Sequence, residues 1–180
     1  MGKKFELTDK FIINVFGIKL FQIKCTKSFK YAQKGDLGGY VEKEGNLDQE
    51  NDAWVYGNAQ VSGDAQVSGN ARVYGDARVY GDAQVSGNAQ VYGNAQVYGD
   101  ANIKNNNEHC GFDGFGSCNR HTHAYLTKEK KVEITCGCFR GSIEEFEKKV
   151  EETHSGTIYE KQYKAIINVI KIKFGLTDLI

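Results

Sequence analysis

An all-β solenoid of triangular section is the fold class this sequence predicts, with 18-residue coils, a β-rich N-terminal cap and a small α+β unit at the C-terminus. Three observations predict it. From Gly57 the chain runs GNAQVS GDAQVS GNARVY GDARVY GDAQVS GNAQVY GNAQVY GDANIK, a fixed six-residue period of the kind that marks repeat architectures. Within each hexad Gly, Ala and Val alternate with polar residues, as at Gly57, Ala59 and Val61, which is the period-two signature of a strand with one apolar face. At a spacing of 18 the outward positions align as Tyr56, Tyr74 and Tyr92, as Asp64, Asp82 and Asp100, and as Asn70 and Asn88. At a spacing of 12 the Tyr column breaks, because Ser68 follows Tyr56. Three hexads therefore make one coil.

The repeat region, residues 39–104, follows from these observations in detail. A Gly every six residues excludes helix, since each costs about 1 kcal/mol against Ala. Gly followed by Asn or Asp tolerates the positive φ of a tight corner. Each hexad is thus one short strand plus one corner. The frame extends back through Gly39-Tyr40-Val41, Gly45-Asn46-Leu47 and Asn51-Asp52-Ala53, giving eleven hexads and about three and a half coils. A buried Val contributes about 1.5 kcal/mol, whereas ordering six residues costs roughly 6–12 kcal/mol of backbone entropy. No hexad stands alone; coils must stack, and both ends need caps.

The flanks are the natural caps. In residues 1–38, Lys4 to Leu7, Phe11 to Phe16 and Ile18 to Cys25 read as three short strands, with a hairpin at Gly17. In residues 105–180, Phe112 to Ser117 reads as loop or turn, and Thr122 to Leu126 and Val132 to Cys136 as strands. Ser142-Ile143-Glu144-Glu145 is a capping box that opens a helix with Ile143, Phe146 and Val150 on one stripe. A second helix is predicted from Tyr159 to Phe174, its apolar face made by Tyr163, Ile166, Ile167, Ile170 and Phe174.

Composition narrows the function classes. The net charge is zero, but residues 1–38 carry +5 and residues 39–104 carry −5. An acidic prism lacks the basic stripe that nucleic acid requires, so direct nucleic-acid binding by the solenoid is not expected. The opening MGKKFELTDKFIINVFGIKL is interrupted by charges, so neither a signal peptide nor a membrane span is expected there. Five cysteines without a secretory signal point to reduced thiols in a cytoplasm.

Val73-Tyr74-Gly75-Asp76-Ala77-Arg78 resembles the hexapeptide-repeat, left-handed β-helix pattern at Val73, Asp76 and Ala77. It departs at Tyr74, where that family usually has Gly, Ala or an acid, and a right-handed solenoid fits a similar inner pattern. Lys34-Gly35-Asp36-Leu37-Gly38-Gly39-Tyr40-Val41-Glu42, Trp54-Val55-Tyr56-Gly57-Asn58-Ala59, Cys136-Gly137-Cys138-Phe139-Arg140-Gly141 and Glu152-Thr153-His154 resemble hexapeptide-repeat proteins encoded by bacteriophages and prophages. That resemblance covers nearly the whole chain. It implies a fold and a bacterial-host setting, and no particular activity.

Several constellations compete as functional sites. Tyr56, Tyr74 and Tyr92 should stack about 4.8 Å apart on one wall, with Tyr80 and Tyr98 on the next and Arg72 and Arg78 beside them. Such a column can simply stabilise the coil, or it can present an aromatic platform to a protein partner or a sister subunit. The Asp64, Asp82 and Asp100 column reads as corner chemistry, with a divalent-ion ladder as the alternative. Cys110, Cys118, Cys136 and Cys138 lie close in sequence, with His109, His121 and His123 among them. No cofactor is expected, and structural zinc is the alternative these residues raise. Cys136 and Cys138 would point the same way in a strand, although the resemblance includes only those two of the four. The alternative is that they are small buried hydrophobes. A Cys nucleophile with His121, His123 or His154 needs a geometry that the sequence does not supply. Many hexapeptide-repeat proteins are acyltransferases with a His base near the coils, yet residues 39–104 contain no His and no long loop.

Three functions remain. The expected one is a non-catalytic binding module acting on a host protein, for example as an inhibitor of a defence nuclease such as a CRISPR effector. The second is a self-assembling structural or virion-associated protein, and the third an acyltransferase-like enzyme.

Overall fold

A computed structural model describes residues 2–176. The chain divides into two compact units, Met1–Asn106 and Asn107–Ile180. The N-terminal flank and the repeats thus belong to one unit.

That unit opens with a hairpin of β1 (Phe5–Ile13) and β2 (Lys19–Cys25), followed by β3 (Leu37–Val41). The region read as two strands, Lys4 to Leu7 and Phe11 to Phe16, is the single strand β1, whose register with β2 shifts between Leu7 and Phe11. The break in the alternation is therefore a bulge within one strand. The chain turns at Asn14, whose side chain accepts from the amides of Phe16 and Ile18 at 2.9 Å.

Nine two-residue strands follow: β4 (Trp54–Val55), β5 (Gln60–Val61), β6 (Gln66–Val67), β7 (Arg72–Val73), β8 (Arg78–Val79), β9 (Gln84–Val85), β10 (Gln90–Val91), β11 (Gln96–Val97) and β12 (Asn102–Ile103). They form three parallel walls, β3-β5-β8-β11, β4-β7-β10 and β6-β9-β12, and the hairpin extends the first wall through β2. Successive coils bond at a separation of 18; Gln60 N–H donates to Ala77 C=O at 2.9 Å and Ser62 N–H to Val79 C=O at 3.0 Å. The predicted inner face is observed, with every repeat Ala from Ala59 to Ala101 and every Val from Val61 to Val97 buried. The corner glycines Gly57 to Gly99 all have φ between 56° and 73°.

The first coil departs from the predicted frame. Val41 pairs with Val61 and Leu47 bridges Val67, separations of 20 rather than 18. Two extra residues fall between Leu47 and Val55, where the flank attaches. Gln49 Oε1 accepts from Lys4 N–H at 2.8 Å, and Lys4 Nζ donates to the carbonyls of Asn51 and Ala53 at 2.6 and 2.8 Å. Trp54 occupies the register position of Arg72 yet is buried, because Phe5 and Phe29 pack edge-on against it.

The second unit is a four-stranded antiparallel sheet and two helices: β13 (His109–Phe115), β14 (Arg120–Leu126), β15 (Val132–Cys136), β16 (Phe139–Gly141), α1 (Ile143–His154) and α2 (Ile158–Lys173). The capping box is present as predicted, with Ser142 Oγ accepting from Glu145 N–H at 3.2 Å and Glu145 Oε2 accepting from Ser142 N–H at 2.7 Å. Ile143, Phe146, Val150, Tyr163, Ile166, Ile167 and Ile170 form the helical side of the core, against Ala124, Ile134 and Cys136 of the sheet. The predicted loop at Phe112 to Ser117 is a strand as far as Phe115. Gly114 has φ +80° and the register with β14 shifts between Phe112 and Phe115, so the segment is a bulged strand where the sequence reads as a turn.

Candidate protein-binding surface

The outward face of the solenoid is made by the residues flanking each inward Val. On wall β4-β7-β10 these include Tyr56, Tyr74 and Tyr92, one coil apart. Tyr56 and Tyr74 meet edge-on with centroids 6.4 Å apart, and Tyr74 and Tyr92 stack at 5.4 Å and 16°. On wall β3-β5-β8-β11, Tyr80 and Tyr98 stack at 4.6 Å and 9°. The third wall, β6-β9-β12, has Gln66, Ser68, Gln84 and Ser86 in the corresponding places and carries no tyrosine. Ring stacking adds about 0.5–1.5 kcal/mol per pair beyond area burial, so the ladders also stabilise the coils.

Exposure differs along the columns. Tyr56 Oη donates to the Tyr31 carbonyl at 3.3 Å, and burial raises the Tyr56 phenol above its ordinary pKa. Phe16 of the N-terminal hairpin touches Tyr80 at 5.2 Å. Tyr74 is half-buried and donates to Gln90 Oε1 at 3.4 Å, while Tyr92 is 53% exposed. The Arg72 guanidinium lies 5.1 Å from the Tyr31 ring centre, a cation–π contact. Neither Arg72 nor Arg78 pairs with a carboxylate among the described residues. The most accessible part of the platform is thus the far end of one column, Tyr74 to Tyr92. Tyr31 and Phe16, in the flank, cover part of the rest. No sequence signal marked those two as partners of the columns, because their spacing to them is not periodic.

The Asp column lies at exposed corners, where Asp64 pairs with Lys43 at 2.8 Å. At other corners Asn58 donates to Asp76 at 3.2 Å and Asn70 to Asn88 at 3.3 Å, so side chains one coil apart bond to each other there.

Of the four candidate zinc cysteines, Cys118, Cys136 and Cys138 border one cavity and Cys110 is not among its lining residues. Cys110 stands on β13, partly buried against the helical core; Cys136 is buried at the end of β15; Cys118 and Cys138 are exposed on turns. Cys136 and Cys138 do not share a strand face, since Gly137 between them has φ +60° and turns the chain from β15 into β16. Among the described residues no group of three or more His, Cys, Asp or Glu has the arrangement of a metal site.

The histidines of β13 and β14 do come together. His109 Nδ1 lies 3.0 Å from His123 Nε2, and His121 Nδ1 lies 2.7 Å from Asp113 Oδ1. His109 is buried, with Nε2 lacking a hydrogen bond. Burial, with Lys173 adding repulsion, depresses its pKa to about 4. His109 is therefore a neutral group at physiological pH.

The walls, the 18-residue register and the inward Ala/Val ladder define a β-solenoid protein. A family model described as YdcK beta solenoid repeat matches the chain over residues 65–81, 71–87 and 83–99. Those matches span β6 to β11, including the Tyr74, Tyr80 and Tyr92 positions. No curated protein matches the chain. Among the described residues no helix is long and apolar enough to cross a membrane.

Proposed function

We propose that the protein is a non-catalytic binding module that docks on another protein through the tyrosine-bearing wall β4-β7-β10. The observation that carries this reading is the stacked Tyr74–Tyr92 pair ending in a ring that is 53% exposed. Tyrosines supply large amphipathic area at little rotamer cost, and stacking fixes these two in advance. Arg72 on this wall, and Arg78 on the neighbouring one, add cations without carboxylate partners among the described residues, so the partner surface is expected to carry acidic or aromatic groups opposite them. The resemblance to bacteriophage proteins makes a bacterial host protein the proposed partner. A defence nuclease such as a CRISPR effector is the particular case put forward, and it rests on that resemblance alone.

Affinity capture from bacterial lysate tests the reading, with wild type beside a Tyr74→Ser/Tyr92→Ser variant. Ser already stands at the equivalent positions 62, 68 and 86, so the variant should fold. One stoichiometric protein, captured by wild type and lost in the variant, supports the module. A partner retained by the variant contradicts the proposed wall.

A second reading, self-association, is favoured by a different surface. Strand β1 is the outer strand of its six-stranded sheet, and Phe11, Ile13, Val15 and Phe16 beside it are each at least half exposed. Edge strands with apolar side chains pair readily with one another. Mass measurement in solution separates the readings: a filament or large ring favours assembly, and a monomer to trimer favours docking.

A further inference from the structure

A second site stands in the C-terminal unit, where two hairpin turns face the end of α1 and the middle of α2. A cavity of about 310 Å³ opens there, at the lower end of the roughly 300–1,000 Å³ range of ligand sites. Its apolar floor includes Phe139, Phe146 and Val150. Its polar lining includes Arg120, Lys149, His154, Tyr163 and the hydroxyls of Ser117 and Thr153, with the thiols of Cys118, Cys136 and Cys138, and no carboxylate lines it among the described residues.

Lys149 pairs with Glu152 at 3.5 Å, whereas Arg120 and Tyr163 are positioned and underused. The Arg120 side chain crosses the β15–β16 turn, and a Cβ at Gly137 would lie 2.7 Å from its Cδ, so Gly137 leaves the space it needs. Arg120 forms no ion pair among the described residues. Tyr163 is buried, its hydroxyl lies against Gly116, and the Cys136 sulfur stands 3.8 Å from it as a hydrogen-bond partner. A thiol is a weak partner, and a buried phenol normally finds a better one. Burial, with Cys136 beside it, holds the Tyr163 phenol well above its ordinary pKa, so it stays a proton donor. The imidazole of His154 stacks on the Tyr163 ring with centroids 5.5 Å apart. Gln162 Oε1 accepts from Gly116 N–H at 2.9 Å and ties the neighbouring turn to α2.

We propose that this cavity binds a small organic anion, a carboxylate or phosphate monoester on an aryl or branched apolar body, with Arg120 and the Tyr163 hydroxyl receiving the anionic head and Phe139 and Phe146 the body. A guanidinium and a phenol converging on one space recognise an oxyanion. The wall tyrosines take no part in this site, so either proposal can fail without the other.

The test is an amide-resolved NMR titration of the full chain with phenylacetate, phenyl phosphate and neutral phenylacetamide. The expected result is saturable shifts confined to residues 116–120, 136–140, 149–154 and 163 with one or both anions. The amide should bind about tenfold more weakly or not at all. Arg120→Gln removes an exposed side chain, should leave the fold intact, and should weaken the anion about tenfold or more. Tyr163→Phe loses only the sulfur contact and should weaken it by a smaller factor. Saturation by phenylacetate alone assigns a carboxylate, and by phenyl phosphate alone a phosphate monoester. No saturable shift with either anion, equal binding of phenylacetamide, or unchanged affinity in Arg120→Gln would overturn the proposal.

Discussion

In the solenoid an outward side chain sits beside the residue 18 positions away, so Tyr meets Tyr and Asn meets Asn or Asp. In the C-terminal unit, the His109–His123 contact aside, the polar groups named above meet unlike ones. Tyr163 faces Cys136, His121 holds Asp113, and Arg120 crosses Gly137. The difference teaches where each unit can place function. A periodic stack repeats one chemistry over an area, which suits a flat protein surface. An antiparallel sheet with helices brings unlike groups from distant positions into one concavity, which suits a small ligand.

Breaking the backbone of each unit gives the largest contrast. Gly87 in the solenoid has φ +57°, and a Cβ there would run into the Lys104 carbonyl; Gly156 in the C-terminal unit has φ +74° with open space around it. Gly87→Ala should cost on the order of 3 kcal/mol or more, because strain and overlap act together. Gly156→Ala should cost only the left-handed strain, about 1–2 kcal/mol. Denaturant melts of the two variants check this, and equal losses would show that coil-to-coil contact is not tight.

Acid comes next, and its histidine-borne part should fall on the C-terminal unit, since all four His lie beyond residue 106. His109 has a folded pKa near 4 against an ordinary 6.5. Its neutral form is favoured by folding, so its contribution is present above pH 6.5 and is lost as pH falls from there towards 4. The loss should reach about 3 kcal/mol. His109→Gln should flatten that part of the stability–pH profile, and an unchanged slope would move the effect elsewhere.

The helix cap sharpens the contrast at a smaller scale. Ser142→Ala removes a hydrogen bond that no repeat can replace and should cost about 1 kcal/mol. Ser86→Ala, on a wall of near-identical rungs, should stay within about 0.5 kcal/mol. Urea midpoints at constant slope measure both.

How much of this was legible in the sequence follows from the same contrast. Periodicity carried the solenoid: the columns at 18, the buried Ala and Val, and the corner glycines all stand where the repeat puts them. It misled at the first coil, where two extra residues shift Val41 and Leu47 onto Val61 and Val67 to receive Lys4. In the C-terminal unit local signals found both helices and two strands. They missed β13, because Gly114 in its bulge has the positive φ of a turn glycine, and they placed Cys136 and Cys138 on one strand, which Gly137 turns into a hairpin. The anion-site groups Arg120, His154 and Tyr163 had no periodic relation to advertise them. The tyrosine columns were visible at once, but their unequal cover by Tyr31 and Phe16 depends on long-range packing.

The central claim is that the exposed tyrosines of wall β4-β7-β10 make it a docking face. The direct measurement compares affinities for the captured partner between Tyr74→Ser/Tyr92→Ser and Gln66→Ser/Gln84→Ser, which alters the tyrosine-free wall by the same number of residues. The account predicts a loss of more than about thirtyfold for the tyrosine pair, as interface anchors give, and less than about threefold for the glutamine pair. Equal effects, or a larger loss from the glutamine pair, would contradict it.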